Sequence, residues 1–437
     1  MALPYVQTLV NSAMNPVQTL CAAALWLVGA IFGLATDTAV VDTLLKLVLR
    51  SLEALTQSLS GAAMILRGIF TNETNSSSLD FILDHLSDLF QFLYDLFKPS
   101  NVIPRFPAAM SSNNNGTSST SNPYNELDLR LDLNRKAVVY QIQRTVMTLA
   151  SILRVGKDVT ASSRGIADLT INASLRSDFD AQGRPPPATY TASLTPGNDI
   201  PRPDEKWLFI NGIANEFHWF TRSCDKIRDT FRRDVKGIYN RSDGILWDIV
   251  ECCGERSATS QSPNTLIQRT RSSAAAQDEL VKELSHALRG AAGTQNGKVV
   301  MIAHSQGVLI LRLALQRLVA DHPKGTEMRR AMRERLWVFT FGSPSVDWRA
   351  IDGDMARPLG EFARVTEHFA HRADFVAMLG VATHQEDAAS GYDDDAVFYS
   401  RGGRGHLFGA HYSLGVEAWE DGERSRLLGA VAGRDLV

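Results

Sequence analysis

Apolar positions along the chain fall into two regimes that divide near residue 205. Before that point they form helical stripes and one unbroken block. Beyond it, short apolar runs alternate with segments of helical period: "KWLFING", a helix near 219–235, "ILWDIV", a helix near 273–290, "KVVMIAH", a helix over 307–320, "LWVFTFGSP", then "FARVTEHFAHRADFV". Strands alternating with helices predict a mostly parallel sheet covered by helices on both faces. The strands of such a sheet read as continuous apolar runs, as "VVMI" and "WVFTF" do. Residues 205–437 are therefore expected to form an α/β domain.

The first 36 residues carry no charge, and Leu20–Ala35 ("LCAAALWLVGAIFGLA") is uninterrupted apolar sequence. As a helix it spans roughly 24 Å, a little short of the ~30 Å hydrocarbon layer. Adding Thr19 and Thr36, or thinning the bilayer locally, closes the gap. No basic residue precedes the block, so it lacks the charged start of a secretory signal. The following "VVDTLLKLVLRSLEALTQSLSGAAMILRGIF" is amphipathic, suited to lie in a membrane surface or to pack on the first helix. Residues 1–70 are expected to be an apolar helical membrane anchor, against the competing reading of a buried helical hairpin. Lys46, Arg50 and Arg67 follow the block and favour a cytoplasmic C-terminal side. The expected location is an internal membrane with the α/β domain in the cytoplasm.

Residues 71–204 predict helices joined by polar linkers. "FILDHLSDLFQFLYDLF" (81–97) is amphipathic, "AAMSSNNNGTSSTSNP" is low-complexity, and a helical stretch runs over 126–157. Residues 161–203, with "RPPP" at their centre, keep no period and read as a linker or arm. N-x-[ST] sequons stand at Asn72, Asn75, Asn115, Asn172 and Asn240, and the expected orientation leaves them unused.

Bulk properties remove whole classes of function. A net charge of -3, with no lysine/arginine stripe interleaved with aromatics, argues against a nucleic-acid partner. The four cysteines (Cys21, Cys224, Cys252, Cys253) form neither a disulfide framework nor paired CxxC spacing for zinc, and read as buried thiols. No metal is expected. No phosphate-cradling glycine motif follows a strand, and no cofactor is expected.

Candidate chemistry enters at "KVVMIAHSQGVLILRL" (298–313), where an apolar strand stops at a serine and a helix starts at once. A strand, a tight turn and a helix make a nucleophile elbow, which lifts the serine hydroxyl out of the sheet. The residues two before and two after must be small because they come close together. Here they are Ala303 and Gly307 around Ser305. The same small-x-Ser-x-Gly string at "ASSRG", centred on Ser163, follows a polar stretch and leads into a linker, so its context rejects it.

Serine is a poor nucleophile at neutral pH and needs a base, which needs a carboxylate to fix its tautomer. Partners should follow in the order acid, then histidine. Asp374 lies after the strand of "RVTEHFAHRADFVAMLG", and His406 and His411 lie in the glycine-rich "GGRGHLFGAHYSLGVEAW". His411 is the favoured base because it directly precedes "YSLGVEAW", expected as a final helix. His406 is the alternative, otherwise bracing the loop. His368 and His371 read as structural, and His304 as packing or hydrogen-bonding away from the hydroxyl. An oxyanion hole is expected from the backbone N–H of Gln306 with that of Gly212 or Ile213. Phe217, His218, Trp219 and Phe220 read as core or as the wall of an acyl pocket. The arm before 204 and the insert over 347–361 are both candidate covers.

Four stretches, "FINGI" (209–213), "HSQG" (304–307), "EHFAHRADFVAMLGV" (367–381) and "GHLFGAHYSL" (405–414), together resemble fungal α/β-hydrolase-like proteins near the serine esterase and lipase class. The resemblance covers residues 205–415 and implies an α/β-hydrolase fold, with Ser305 as nucleophile, Asp374 as acid and a histidine of the last stretch as base. It implies no particular substrate. Where a second glycine often follows "HSQG", this chain has Val308. The leading expectation is a membrane-associated serine hydrolase acting on a small-molecule or lipid ester. The alternative is a catalytically silent hydrolase fold that scaffolds or binds a partner at a membrane.

Overall fold

The computed structural model describes residues 122–128, 130–138, 140–141, 182–195, 204–242, 252, 271–290 and 297–437. Its strands are β1 (Thr189–Ala192), β2 (Glu205–Ile210), β3 (Val235–Ile238), β4 (Lys298–His304), β5 (Leu336–Phe341), β6 (Arg349–Asp352), β7 (Met355–Pro358), β8 (Val365–Ala370) and β9 (Val397–Tyr399). Seven of them make one sheet in the order β1-β3-β2-β4-β5-β8-β9, and β6 pairs with β7 as a separate hairpin. Every ladder of the large sheet is parallel except that of β1 with β3.

Strand alternation sends successive side chains to opposite faces. Val299, Met301 and Ala303 of β4 enter one apolar layer, which also holds Leu280, Leu284 and Leu288 of α2 (Arg271–Arg289) and Leu311 and Leu315 of α3 (Gln306–Asp321). Val300 and Ile302 enter the other, with Phe220, Cys224, Ile227 and Phe231 of α1 (Phe217–Phe231). Both faces of the central strands are thus covered, which is why their sequences are apolar without alternation. The remaining helices are α4 (Glu327–Arg335), α5 (Phe375–Met378), α6 (Val381–His384) and α7 (Arg426–Gly429).

Several elements differ from the sequence expectations. Helix α1 ends at Phe231, before the expected limit near 235, because Arg232 turns left-handed (φ 54°) and the chain enters β3. The sheet does not begin at 205: β1 adds an antiparallel edge from the stretch read as a linker. Residues 126 and 127 form a turn, and helix begins at 132 within the stretch expected over 126–157. The 347–361 insert folds as the β6–β7 hairpin against α3, where Gln316 Nε2 donates to the Arg349 carbonyl oxygen (2.7 Å). The expected strand "ILWDIV", the anchor of residues 1–70, the helix of 81–97, the low-complexity linker up to residue 121 and Ser163 lie outside the described residues. Among the described residues no helix is long and apolar enough to cross a membrane.

Candidate active site

Strand β4 ends at His304 and α3 begins at Gln306, which leaves Ser305 alone at the corner. Its backbone is left-handed (φ 57°, ψ -130°), a conformation that costs a non-glycine residue about 1–3 kcal/mol. The corner is held by two hydrogen bonds: Ser305 N–H donates to the Phe341 carbonyl (2.9 Å), and Val308 N–H to the Ser305 carbonyl (2.8 Å). Neighbouring β2, in register with β4 at Ile210 and Ala303, brings its following loop against the same corner. A Cβ on Gly212 would lie 2.3 Å from Ser305 Cβ, and one on Gly307 would lie 2.6 Å from the Asn211 carbonyl oxygen. Only glycine fits at either position. Ala303 is fully buried between strands, so its methyl group is accommodated.

The Ser305 hydroxyl reaches His406, not His411. His406 Nε2 lies 2.7 Å from Ser305 Oγ, and its Nδ1 lies 2.7 Å from Asp374 Oδ2. The carboxylate only accepts, so Nδ1 carries the proton and Nε2 faces the hydroxyl as acceptor. Asp374 follows β8 and caps α5, accepting from Val376 N–H at Oδ1 (2.9 Å) and from the Tyr412 hydroxyl at Oδ2 (2.6 Å). Burial alone would raise its pKa, but His406, Tyr412 and His371 together hold the carboxyl below the usual carboxylate range. Ser305 and Asp374 are fully buried, and His406 is 6% exposed.

The assignment of His411 as base is therefore corrected, for two physical reasons. First, no α-helix directly follows it; a 3-10 turn, Val416–Ala418, occupies the stretch read as helix. Second, its Nδ1 is already occupied as acceptor of Leu407 N–H (3.0 Å), while its backbone N–H donates to the Leu407 carbonyl (2.9 Å). Burial, then the neighbouring His371 and His406, lowers its pKa to about 4. The ring is a neutral brace within the loop that carries His406.

The other histidines are also placed. His304 Nε2 donates to the His406 carbonyl oxygen (2.7 Å), and burial pushes its pKa well down. His371 donates from Nδ1 to the Gly405 carbonyl oxygen (2.9 Å) and stacks on Tyr412 at 4.1 Å. His368 meets the Thr340 hydroxyl (2.7 Å) on the neighbouring strand β5, and burial lowers its pKa to about 3. Of the aromatic stretch, Trp219 and Phe220 are buried, and Trp219 Nε1 donates to Asn134 Oδ1 (3.0 Å). Phe217 is half-buried, edge-on to Tyr239 at 5.3 Å.

The expected oxyanion donors gather at this corner. Gln306 is the first residue of α3, where the helix dipole places partial positive charge beside Ser305. Gly212 and Ile213 lie in the loop after β2, and Gly212 is pressed against the serine. The Gln306 side chain turns away and accepts from Asn240 Nδ2 (2.7 Å). Asn240 is itself tied to Asn211 through its backbone N–H (2.9 Å). Sequence reading missed Tyr412 as a partner of the acid, although a tyrosine in an apolar loop needs an acceptor for its hydroxyl. An arrangement of this kind can take the serine proton onto an imidazole and hold the resulting imidazolium against a buried carboxylate. No protein-family model, curated protein or solved structure matches the chain.

Proposed function

We propose that this chain is a serine hydrolase of the α/β-hydrolase type that cleaves a carboxylic ester, lipid-like in character, through an acyl-enzyme. One observation carries the reading: Ser305, His406 and Asp374 form a continuous hydrogen-bonded series, 2.7 Å at each link, at the C-terminal ends of β4 and β8. His406 takes the proton as Ser305 Oγ attacks the ester carbonyl, and Asp374 stabilises the imidazolium. The oxyanion is received by the N–H of Gln306 and that of Gly212 or Ile213. His406 then protonates the leaving alcohol, and water, activated by the same ring, releases the acid. The 1–70 region, in this reading, keeps the domain at an internal membrane with its cytoplasmic face toward hydrophobic substrate. The resemblance to fungal α/β-hydrolase-like proteins points the same way.

The full burial of the Ser305 hydroxyl favours one competing reading, a silent hydrolase fold serving as a membrane scaffold or binding module. A fluorophosphonate probe applied to the full-length protein separates the two. Labelling that disappears in Ser305→Ala supports the hydrolase; well-folded protein that never labels supports the scaffold. Fractionation tests the membrane part independently, and full-length protein found wholly in the soluble fraction would refute it.

A further inference from the structure

Residues 122–128 reach the loop that carries His406 from far away in sequence. The Glu126 carboxylate accepts from Gly409 N–H (2.7 Å) and Ala410 N–H (2.8 Å), and Asn122 Nδ2 donates to the Gly409 carbonyl (2.9 Å). From the opposite charge, Lys226 of α1 donates to the carbonyls of Phe408 (2.7 Å), Gly409 (3.1 Å) and Tyr412 (2.5 Å). Glu126 and Lys226 are only 3% and 8% exposed. Two buried side chains of opposite charge are thus spent on the main chain of one loop, one on its N–H groups and the other on its carbonyls. Buried charges are ordinarily rare unless paired, and this pair serves a common ligand, the 408–412 backbone.

The segment is fastened by further hydrogen bonds. Tyr124 Oη donates to Asp229 Oδ2 (2.5 Å), Arg222 donates to the Pro123 carbonyl (2.6 Å), and Asn134 donates to the Asn125 carbonyl (2.9 Å). It lies so close that a Cβ on Gly409 would stand 2.1 Å from the Tyr124 carbonyl oxygen and 2.7 Å from Glu126 Oε2. The held loop leads directly to the reacting groups. Phe408 packs against His304 at 5.5 Å, and Tyr412, whose carbonyl Lys226 holds, donates to Asp374.

We infer that residues 122–128 are an intramolecular strap, and that Glu126 and Lys226 are positioning residues that set the loop carrying His406 against Ser305. The inference rests on the serine-hydrolase reading for its kinetic consequence but not for its structural one. It makes residues 122–128 part of the working site.

Three variants of the full-length protein test it: Glu126→Gln, which places an NH2 group against a backbone donor; Gly409→Ala, which displaces the strap without altering charge; and Lys226→Met, which keeps the stem. Fluorophosphonate labelling gives the maximal inactivation rate and the half-saturating probe concentration separately, and the far-downfield proton resonance of His406 Nδ1–H reports its bond to Asp374. Folded variants, judged by Tm, should lose about 10-fold to 10²-fold in maximal rate at an unchanged half-saturating concentration, with the resonance broadened or shifted. Wild-type rates and an unmoved resonance in folded Glu126→Gln and Gly409→Ala would overturn the strap. Should Glu126→Gln fail to fold, Asn122→Ala removes a single donor and the same readouts decide. If the wild-type protein never labels, the hydrolase reading has failed, and the resonance alone decides: unmoved in the variants, it refutes the strap; moved, it upholds it.

Discussion

His304 donates from Nε2 to the carbonyl oxygen of His406 at 2.7 Å, with the two rings 4.7 Å apart. The residue before the serine therefore fixes the backbone of the residue that faces it. His304→Phe keeps the ring contact and removes the donor. It also removes a buried Nδ1 that has no partner among the described residues, so the stability change should stay within about 1 kcal/mol. Labelling should slow about tenfold, since the His406 carbonyl is released. Unchanged labelling kinetics at unchanged Tm would show that the contact has no part in placing the base.

Exchanging the two late histidines separates base from brace. His406→Ala should lose the bulk of turnover, on the order of 10⁴-fold, and adding Ser305→Ala should cost little more because the groups act as a unit. In His411→Asn, Oδ1 replaces Nδ1 as acceptor for Leu407 N–H, so most activity should survive. Ester hydrolysis by the two single variants is the deciding comparison, and the reverse ranking would restore His411 as base.

Tyr412→Phe preserves the stack on His371 but removes one of the donors to a fully buried carboxylate. Hydrogen bonds to charged groups are worth about 1.5–3 kcal/mol, so the variant should unfold earlier by that amount. Its Asp374 should also titrate higher, shifting the acid limb of the rate profile upward. Chemical denaturation together with a pH–rate curve measures both.

At the corner, Gly212→Ala would place a methyl carbon where Ser305 Cβ and Oγ already stand, at 2.3 and 2.8 Å. Overpacking of this kind costs about 1–3 kcal/mol, and here it also displaces the hydroxyl. Ala303→Gly, by contrast, lowers crowding and should leave probe labelling within about threefold. Equal labelling by both variants would remove the steric account of the turn.

Acid should destabilise the fold through its buried histidines, while the raised carboxyls of Glu126 and Glu367 titrate alongside them. Burial is the first cause lowering the pKa of His218, His304, His368, His371 and His411, the last to about 4. Between about pH 6.5 and 4 the unfolded chain binds a proton that folded His411 refuses, so stability falls as pH drops through that window. His411 alone contributes on the order of 3 kcal/mol by pH 4. Tm measured from pH 7 to pH 4 should fall, and His411→Asn should flatten the slope.

The sheet was legible where strands are buried on both faces, because "VVMI" and "WVFTF" can be little else. Edge strands were not: β1 is four residues with no continuous apolar run ("TYTA"), and β9 is apolar ("VFY") but only three residues long. In the site, Ser305 and Asp374 announced themselves by a strand-to-helix corner and by order along the chain. The choice between His406 and His411 turned on a helix that the sequence suggests and the fold lacks, since Tyr412 turns inward to the acid and Trp419 packs in the core. Glu126 and Lys226 left no local trace, because their common partner is the backbone of a loop more than 180 residues from the nearer of them.

With the Ser305 hydroxyl wholly shielded from solvent, no ester can dock onto the resting molecule as it stands. On the serine-hydrolase reading the groups that cover the serine have to move first, and the frequency of that movement sets a ceiling on acylation whatever the reactivity beneath. Initial rates should therefore level off at high ester concentration at a value insensitive to both the leaving group and the acyl group, marking a step of the protein rather than of acylation or deacylation.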